Sequence, residues 1–217
     1  MRSCAGRWTR RPAGLDSGQP GGPGHPTPTR VRGDSPAHEE VSRLLEAAYE
    51  ADPDFAVLLW LAATTGARRG ELCALQWGSV DLEAAELLIL RNLFQAAGRL
   101  VEKDTKTHAA RRLALSDESV ALLDEHRRRC AERAEACGVR LSEDAYVFSF
   151  DPAGRQPMHP DSVTHRFSRL AERLGLRTRL HDLRHYAATQ LIAGGVDLRT
   201  VSGRIGHAVG GATTLRV

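Results

Sequence analysis

The first ordered part of the chain has apolar residues at a spacing that is typical of helices. Leu44, Leu45 and Ala48 lie within four positions of one another, so they share one face of a helix. We expect this helix to begin at Ser35-Pro36, because serine caps helix N-termini and proline suits the first turn. Caps and apolar runs predict two further helices, over residues 52–66 and 69–77.

Between residues 80 and 115 the pattern changes to short apolar segments separated by turns. It predicts four strands, at 80–82, 87–91, 99–103 and 112–115. A long charged helix should follow, capped by Ser116 and ending near Cys137. Later in the chain we expect a brief strand at 146–150 and helices at 160–174, 182–193 and 197–206. This order of elements predicts an α+β, mainly helical fold with a small antiparallel sheet and a β-hairpin.

The first 34 residues differ in composition from the rest of the chain. They hold seven of the 20 glycines and five of the ten prolines, and such a segment buries too little apolar surface to offset chain entropy. We therefore predict a disordered Gly/Pro/Arg-rich tail over 1–34 and one globular domain over 35–217. No apolar run reaches the length of a membrane span, and no signal peptide is evident.

Charge and cysteine content limit the possible functions. The formal net charge of +3 comes from the first 34 residues, so bulk charge gives no argument for nucleic-acid binding. The four cysteines form no Cys-x-x-Cys pair, which indicates free thiols in the cytoplasm. The basic residues are arginines except for Lys103 and Lys106. Since lysine gives up a proton far more readily than arginine, these two lysines are candidates for a proton donor.

The segment from His181 to His185 carries the most specific chemical pattern. On a helix, His181, Arg184 and His185 share one face, because they lie three and four positions apart. A guanidinium grips two phosphate oxygens and a histidine moves a proton, so the pattern suits phosphate chemistry. A zinc hydrolase site built on the two histidines is an alternative. Asp182 and Arg184 count against it, since they replace the usual glutamate and place a cation beside the metal.

Three other segments combine charge with turn or hairpin sequences. Thr65-Gly66-Ala67-Arg68 joins two predicted helices, and a helix N-terminus beside an arginine is an anion site where Glu71 could hold an arginine. The hairpin segment 103–112 contains both lysines. Gly206-His207 follows the last predicted helix.

Taken together and in this order, the four segments resemble the catalytic domain of the tyrosine recombinase (phage integrase) family. The resemblance implies double-stranded DNA as the partner, site-specific strand cleavage and rejoining through a 3′-phosphotyrosine link, and no cofactor or metal. It implies that Arg68 and Arg184 offset charge on the phosphate, that His181 assists proton transfer and that His207 hydrogen-bonds the phosphate. Lys106 would protonate the departing 5′-oxygen, with Lys103 as its rival.

One part of the family pattern is missing from the chain. The resemblance places the nucleophilic tyrosine at 216–218, whereas the chain ends at Val217 and its tyrosines are Tyr49, Tyr146 and Tyr186. We therefore expect a domain cut off before its nucleophile, from a parent that works as a homo-tetramer on paired DNA sites. The alternative is a catalytically dead relative that still binds DNA.

Overall fold

The computed structural model describes residues 35–96, 98–104 and 110–206. The helices of this part of the chain are α1 (His38–Ala51), α2 (Pro53–Thr65), α3 (Arg69–Cys73), α4 (Asp117–Ala136), α5 (Pro160–Arg173), α6 (Asp182–Ala193) and α7 (Leu198–Ile205). The strands are β1 (Val80–Asp81), β2 (Glu86–Ile89), β3 (Arg91–Ala96), β4 (Arg99–Asp104) and β5 (Arg111–Ala114). The α+β, mainly helical fold that the sequence predicts is confirmed.

Helix caps account for most of the observed helix starts. The Asp52 carboxylate accepts hydrogen bonds from two backbone N–H groups at the start of α2, and the Ser116 hydroxyl accepts one, from the Ser119 N–H, at the start of α4. The predicted cap at Ser35 is wrong. Helix α1 begins at His38 because Glu40 in its first turn accepts a hydrogen bond from the backbone N–H of Ala37, at 3.0 Å.

The strands form two small antiparallel sheets. One has the order β1-β2-β5, and the other is the β3–β4 hairpin, in which Arg91 lies opposite Asp104. The sequence prediction merged β2 with the start of β3, because Leu90 continues the apolar run through the corner between the two sheets. The hairpin touches α3 closely, since a Cβ on Gly70 would lie 2.1 Å from the carbonyl oxygen of Leu93.

Two predicted elements differ from those in the structure. The third helix ends at Cys73 instead of residue 77, and a separate 3₁₀ turn covers Trp77–Ser79. The predicted strand at 146–150 is wrong: within it only Tyr146 forms a bridge, to Gln76. The pairing does not extend further because the opposite segment enters the 3₁₀ turn at Trp77, and the Tyr146 N–H bonds to the Gly154 carbonyl.

Helix α2 lies at the centre of the core and packs against α1, α4 and α6. Nearly every one of its side chains is buried, which explains why its sequence is apolar all round. A second, smaller apolar cluster of Ala188, Val201 and Ile205 fastens α7 to α6. In the part of the chain that the structure describes, the helices are all too short or too polar to traverse a lipid bilayer.

Candidate active site

A cleft of about 620 Å³ opens between the end of α2, the hairpin, α5 and the start of α6. Its floor is apolar, while its polar lining is dominated by cationic and imidazole side chains. These are Arg68, Arg69, Arg179, His181 and Arg184. Three of the five residues that the sequence predicted for the site, Arg68, His181 and Arg184, therefore line one cavity although more than 110 positions separate the first from the others.

Arg184 is the buried cation of the cleft, with only 5% of its surface exposed. It comes from the first turns of α6 and donates to the carbonyl of Gly66 at 2.5 Å and to the carbonyl of Ile205. Burial, assisted by the charge of Arg68, lowers the pKa of Arg184 to about 10, so the guanidinium stays charged at neutral pH. Arg184 thus joins the C-terminal ends of α2 and α7.

Arg68 lies at the mouth of the same cleft and is the N-cap residue of α3. Its side chain is 44% exposed. One terminal nitrogen donates to Glu71 at 2.9 Å, and the other donates to the carbonyl of Gly206 at 2.7 Å. The prediction that Glu71 holds an arginine is confirmed, and Arg68 lines the cleft while one carboxylate and one main-chain carbonyl hold its two terminal nitrogens.

The Thr65-Gly66 turn places Arg68 where α2 ends. The Thr65 hydroxyl accepts a hydrogen bond from the Ala67 N–H at 3.1 Å and donates to the Leu61 carbonyl. Gly66 has φ of +66°, a left-handed conformation that favours glycine. A side chain there would also meet Ile205 in α7, at 2.8 Å from a Cβ to the nearest methyl carbon. The local sequence therefore produces both the turn and the close contact of α2 with α7.

Glu71 is the anion that pairs with Arg68 of the cleft and with Arg111 behind it, and its side chain is only 1% exposed. Burial alone would raise its pKa, but hydrogen bonds and charge from Arg111 first, and then from Arg68, hold the pKa below its usual value. Arg111, at the start of β5, donates to Glu71 at 2.7 Å. In the sequence, Arg111 is notable only for its proximity to Lys106, so its pairing with Glu71 was not predicted.

His181 stands just before α6 and lines the cleft. Burial lowers its pKa, as do the neighbouring His185 and Arg184, so the imidazole is neutral at pH 7 and able to accept a proton. Asp182 fixes this start of the helix by accepting a hydrogen bond from the Arg179 N–H at 2.8 Å. The rings of His181 and His185 lie 5.0 Å apart, centre to centre, with one ring edge-on to the other.

The alternative of a zinc site gains no support from the donor set around the two histidines. Among residues 35–96, 98–104 and 110–206, no three or more His, Cys, Asp or Glu side chains are grouped so that they could hold a metal ion. The neighbour that does approach them is Arg184, a cation.

The other two predicted site residues, Lys106 and His207, lie outside the described residues. The rival lysine, Lys103, is exposed in β4 and pairs with Asn92 across the hairpin. Because directly opposed residues of an antiparallel pair share one face of the sheet, Lys103 is on the same face as Asn92, which lines the cleft.

None of the three tyrosines lines the cleft in the part of the chain that the structure describes. Tyr186 is buried and its hydroxyl lies 2.7 Å from a ring nitrogen of His38. The hydroxyl of Tyr49 donates to Glu125, and that of Tyr146 to Glu102. All three therefore have structural contacts away from the arginines.

Residues 37–215 match the phage integrase family. The chain belongs to this family. It is 30% identical over 183 residues to the tyrosine recombinase XerC-like protein of Caldanaerobacter subterraneus subsp. tengcongensis, with 78% of this chain and 46% of the relative covered. It is 29% identical over 155 residues to the ICEBs1 integrase of Bacillus subtilis, with 70% and 41% covered. This phage integrase domain thus spans less than half the length of these two relatives.

Solved structures share the fold of this phage integrase domain. The Tn1549 transposon integrase in complex with circular intermediate DNA gives a TM-score of 0.70 at 16% identity, covering 87% of this chain and 63% of that chain. The crystal structure of XerA recombinase gives 0.64 at 24% identity, covering 83% and 58%. At these identities the likeness establishes a common architecture.

Proposed function

We propose that the full-length protein cleaves and rejoins double-stranded DNA at specific sites through a 3′-phosphotyrosine link. The observation that carries this proposal is the convergence of Arg68, His181 and Arg184 on one cleft. The named functions of the relatives, tyrosine recombinase and integrase, agree with it. DNA binding alone needs cations but no proton acceptor, so the neutral His181 beside Arg68 and Arg184 favours cleavage over a remnant that only binds DNA.

The arginines would stabilise the charge that develops on the phosphate during transfer. Both now donate to main-chain carbonyls, Arg68 to Gly206 and Arg184 to Gly66 and Ile205. Non-bridging phosphate oxygens are stronger acceptors than carbonyls, so a phosphate in the cleft would compete for these N–H groups. A bidentate guanidinium then holds the phosphate for in-line attack.

The proton steps follow from the remaining side chains. The tyrosine hydroxyl attacks phosphorus and gives its proton to the neutral His181, while the bond from phosphorus to the 5′-oxygen breaks. Lys106 gives a proton to that departing oxygen, and His207 hydrogen-bonds the phosphate. Rejoining is the reverse reaction, in which a 5′-hydroxyl attacks the phosphotyrosine. We propose position 218 for the nucleophilic tyrosine, because Arg216 and Val217 occupy the other two positions of the expected range 216–218.

Assembly and location are further parts of the proposal. A homo-tetramer on paired DNA sites would bring four such clefts together for strand exchange, and the free thiols are consistent with the cytoplasm. Among the described cysteines, Cys73, Cys130 and Cys137 form no disulfide.

The test is a trapping experiment on the protein extended through its downstream coding sequence. A nicked suicide DNA substrate loses the short strand after cleavage, so the covalent protein–DNA product accumulates. We expect an adduct band with the wild type and none with Arg184→Ala, because its loss removes the buried cation of the cleft. Arg155→Ala, an exposed residue in a distant turn, is the control and should leave the band intact. A wild-type protein that binds its site but gives no adduct would favour the remnant.

A further inference from the structure

Arg111 and Arg68 share one buried carboxylate. Each oxygen of Glu71 accepts one hydrogen bond from each arginine: Oε1 from Arg68 Nη1 at 2.9 Å and Arg111 Nη1 at 3.2 Å, and Oε2 from the Arg68 N–H at 2.8 Å and Arg111 Nη2 at 2.7 Å. Arg111 is thus bidentate, whereas Arg68 contributes only one side-chain nitrogen. The Glu71 side chain is 1% exposed, so its acceptor capacity is used within this triad.

The two arginines differ in their access to the cleft. Arg111 is 13% exposed and does not line the cleft, while Arg68 is 44% exposed and does. With Arg111 present, the triad of two cations and one anion carries a net charge of +1, located on the outer arginine. Without it, Arg68 and Glu71 would form a neutral ion pair, and both guanidinium nitrogens of Arg68 would be drawn to the buried carboxylate.

Arg111 also packs against the turn that follows α7. A Cβ on Gly206 would lie 2.2 Å from Arg111 Nη1 and 2.7 Å from Cζ, so the guanidinium fills the space that a side chain would occupy. The Gly206 carbonyl in the same turn accepts the hydrogen bond from Arg68. Arg111 therefore contacts both groups that hold Arg68 in place, the Glu71 carboxylate and the Gly206 turn.

We infer that Arg111 is a positioning residue for phosphate binding: it neutralises Glu71 and so leaves the positive charge of Arg68 uncancelled, and the second terminal nitrogen of Arg68 can then exchange the Gly206 carbonyl for the scissile phosphate. This inference rests on the proposed function, because the scissile phosphate of DNA is the substrate of that function. It assigns Arg111 no contact with DNA. It also gives a physical reason for glycine at position 206, where any side chain would displace the Arg111 guanidinium.

The first test compares cleavage of two substrates by the full-length protein. Arg111→Met removes the charge and keeps much of the volume, and we expect single-turnover cleavage of an ordinary phosphate to fall by about 100-fold. With an uncharged methylphosphonate at the scissile position the loss should be much smaller, because that linkage needs less positive charge. Arg111→Lys, which keeps the charge, should lie between wild type and Arg111→Met.

The neighbouring Arg112 provides a matched control. It is 74% exposed, lies on the same strand and pairs with Glu86 instead of Glu71. Arg112→Met should therefore cleave both substrates at the wild-type rate. An equal loss on both substrates for Arg111→Met would indicate a merely structural role and overturn the inference, as would no loss at all.

A second test needs neither DNA nor cleavage. Phenylglyoxal modifies accessible arginines, and mass spectrometry gives the rate at Arg68 in the full-length protein. In Arg111→Met we expect Arg68 to react several times more slowly than in wild type, since its second terminal nitrogen would also turn from the Gly206 carbonyl to the buried Glu71 carboxylate. An unchanged or faster rate would overturn the inference. If the wild type fails to cleave any DNA, the proposed function fails, and this rate still decides the role of Arg111.

Discussion

The arginines of the site are held by main-chain carbonyls at the ends of helices. Arg184 donates to Gly66 and Ile205, and Arg68 donates to Gly206. The last carbonyls of a helix lack partners within it and carry partial negative charge, so they suit a guanidinium. Both guanidinium groups are therefore oriented by the protein itself, and Arg184 is also buried, whereas the Arg68 side chain is 44% exposed.

The roles of the two lysines can be distinguished by changing the leaving group of the DNA substrate. Lys106→Ala should slow cleavage of a normal substrate by about 100-fold, because general acid catalysis contributes on the order of 100- to 10,000-fold. A substrate with sulfur in place of the bridging 5′-oxygen needs no proton donor, so the variant should cleave it at nearly the wild-type rate. The measurement is single-turnover cleavage of both substrates by Lys106→Ala and Lys103→Ala. If Lys106→Ala cleaved the normal substrate at the wild-type rate, and the sulfur-containing substrate restored cleavage by Lys103→Ala, the proton donor would be Lys103 instead.

For individual residues, the sequence predicted the chemical groups of the site better than it predicted the partners of those groups. Arg68, His181 and Arg184 were identifiable from short motifs, because their types and spacing suit phosphate chemistry. The pairing of Arg111 with Glu71, 40 positions apart, and the carbonyls that accept from Arg184 depend on how distant elements pack. A single sequence without its fold gives no signal for such contacts.

Helices α2 and α7 meet end to end at the site, and both end in a left-handed glycine. Gly66 and Gly206 each have φ of +66°. Gly66 has no room for a side chain beside Ile205, so α7 can only approach α2 there because the position lacks a Cβ. The distance between Arg68 and the end of α7 depends on this contact.

Gly66→Ala should therefore be costly compared with a matched glycine. Gly138 follows α4, has φ of +70° and would place a Cβ in open space, so Gly138→Ala should cost only about 1 kcal/mol of unfolding free energy, for the left-handed backbone. Gly66→Ala adds the clash with Ile205, and we expect a loss of about 2–4 kcal/mol. Urea unfolding of both variants measures the difference. Equal losses of unfolding free energy in the two variants would show that α7 moves away from residue 66 without loss of stability.

The elements themselves were largely predictable, for reasons that are local. Asp52 and Ser116 cap their helices as expected, since a cap needs only the next few residues. The segment 146–150 has strand-like composition but lacks an extended neighbour, and a strand exists only through its partner. The break between β2 and β3 was likewise invisible, because it reflects the separation of two sheets.

For the domain as a whole, a buried ion pair joins three parts of the core. His126 in α4 contacts the Asp54 carboxylate of α2 at 3.0 Å and the carbonyl of Val147 at 2.8 Å. Both partners are acceptors, so both ring nitrogens carry protons. Burial alone would lower the pKa of His126, but the hydrogen bond to Asp54 outweighs it, with support from Cys130, and raises the pKa from 6.5 to about 9.

This pair predicts how stability changes with pH. Because the folded-state pKa of His126 is raised, its contribution is complete below about pH 6.5 and is lost as the pH rises through 9. The loss should be at most about 3 kcal/mol, from the size of the pKa shift. Unfolding free energies measured from about pH 6 to pH 10 on wild type and His126→Leu test this. A decline of the same slope in His126→Leu would assign the pH dependence to other groups.

The covalent link between the protein and DNA is the central feature of the proposed reaction. The most direct measurement is to digest the adduct formed by the full-length protein on a nicked DNA substrate and to identify the joined amino acid and DNA end by mass spectrometry. We predict a tyrosine at position 218 joined to a 3′-phosphate. Attachment at Tyr49, Tyr146 or Tyr186, a link to a 5′-phosphate, or specific binding without any adduct would contradict it.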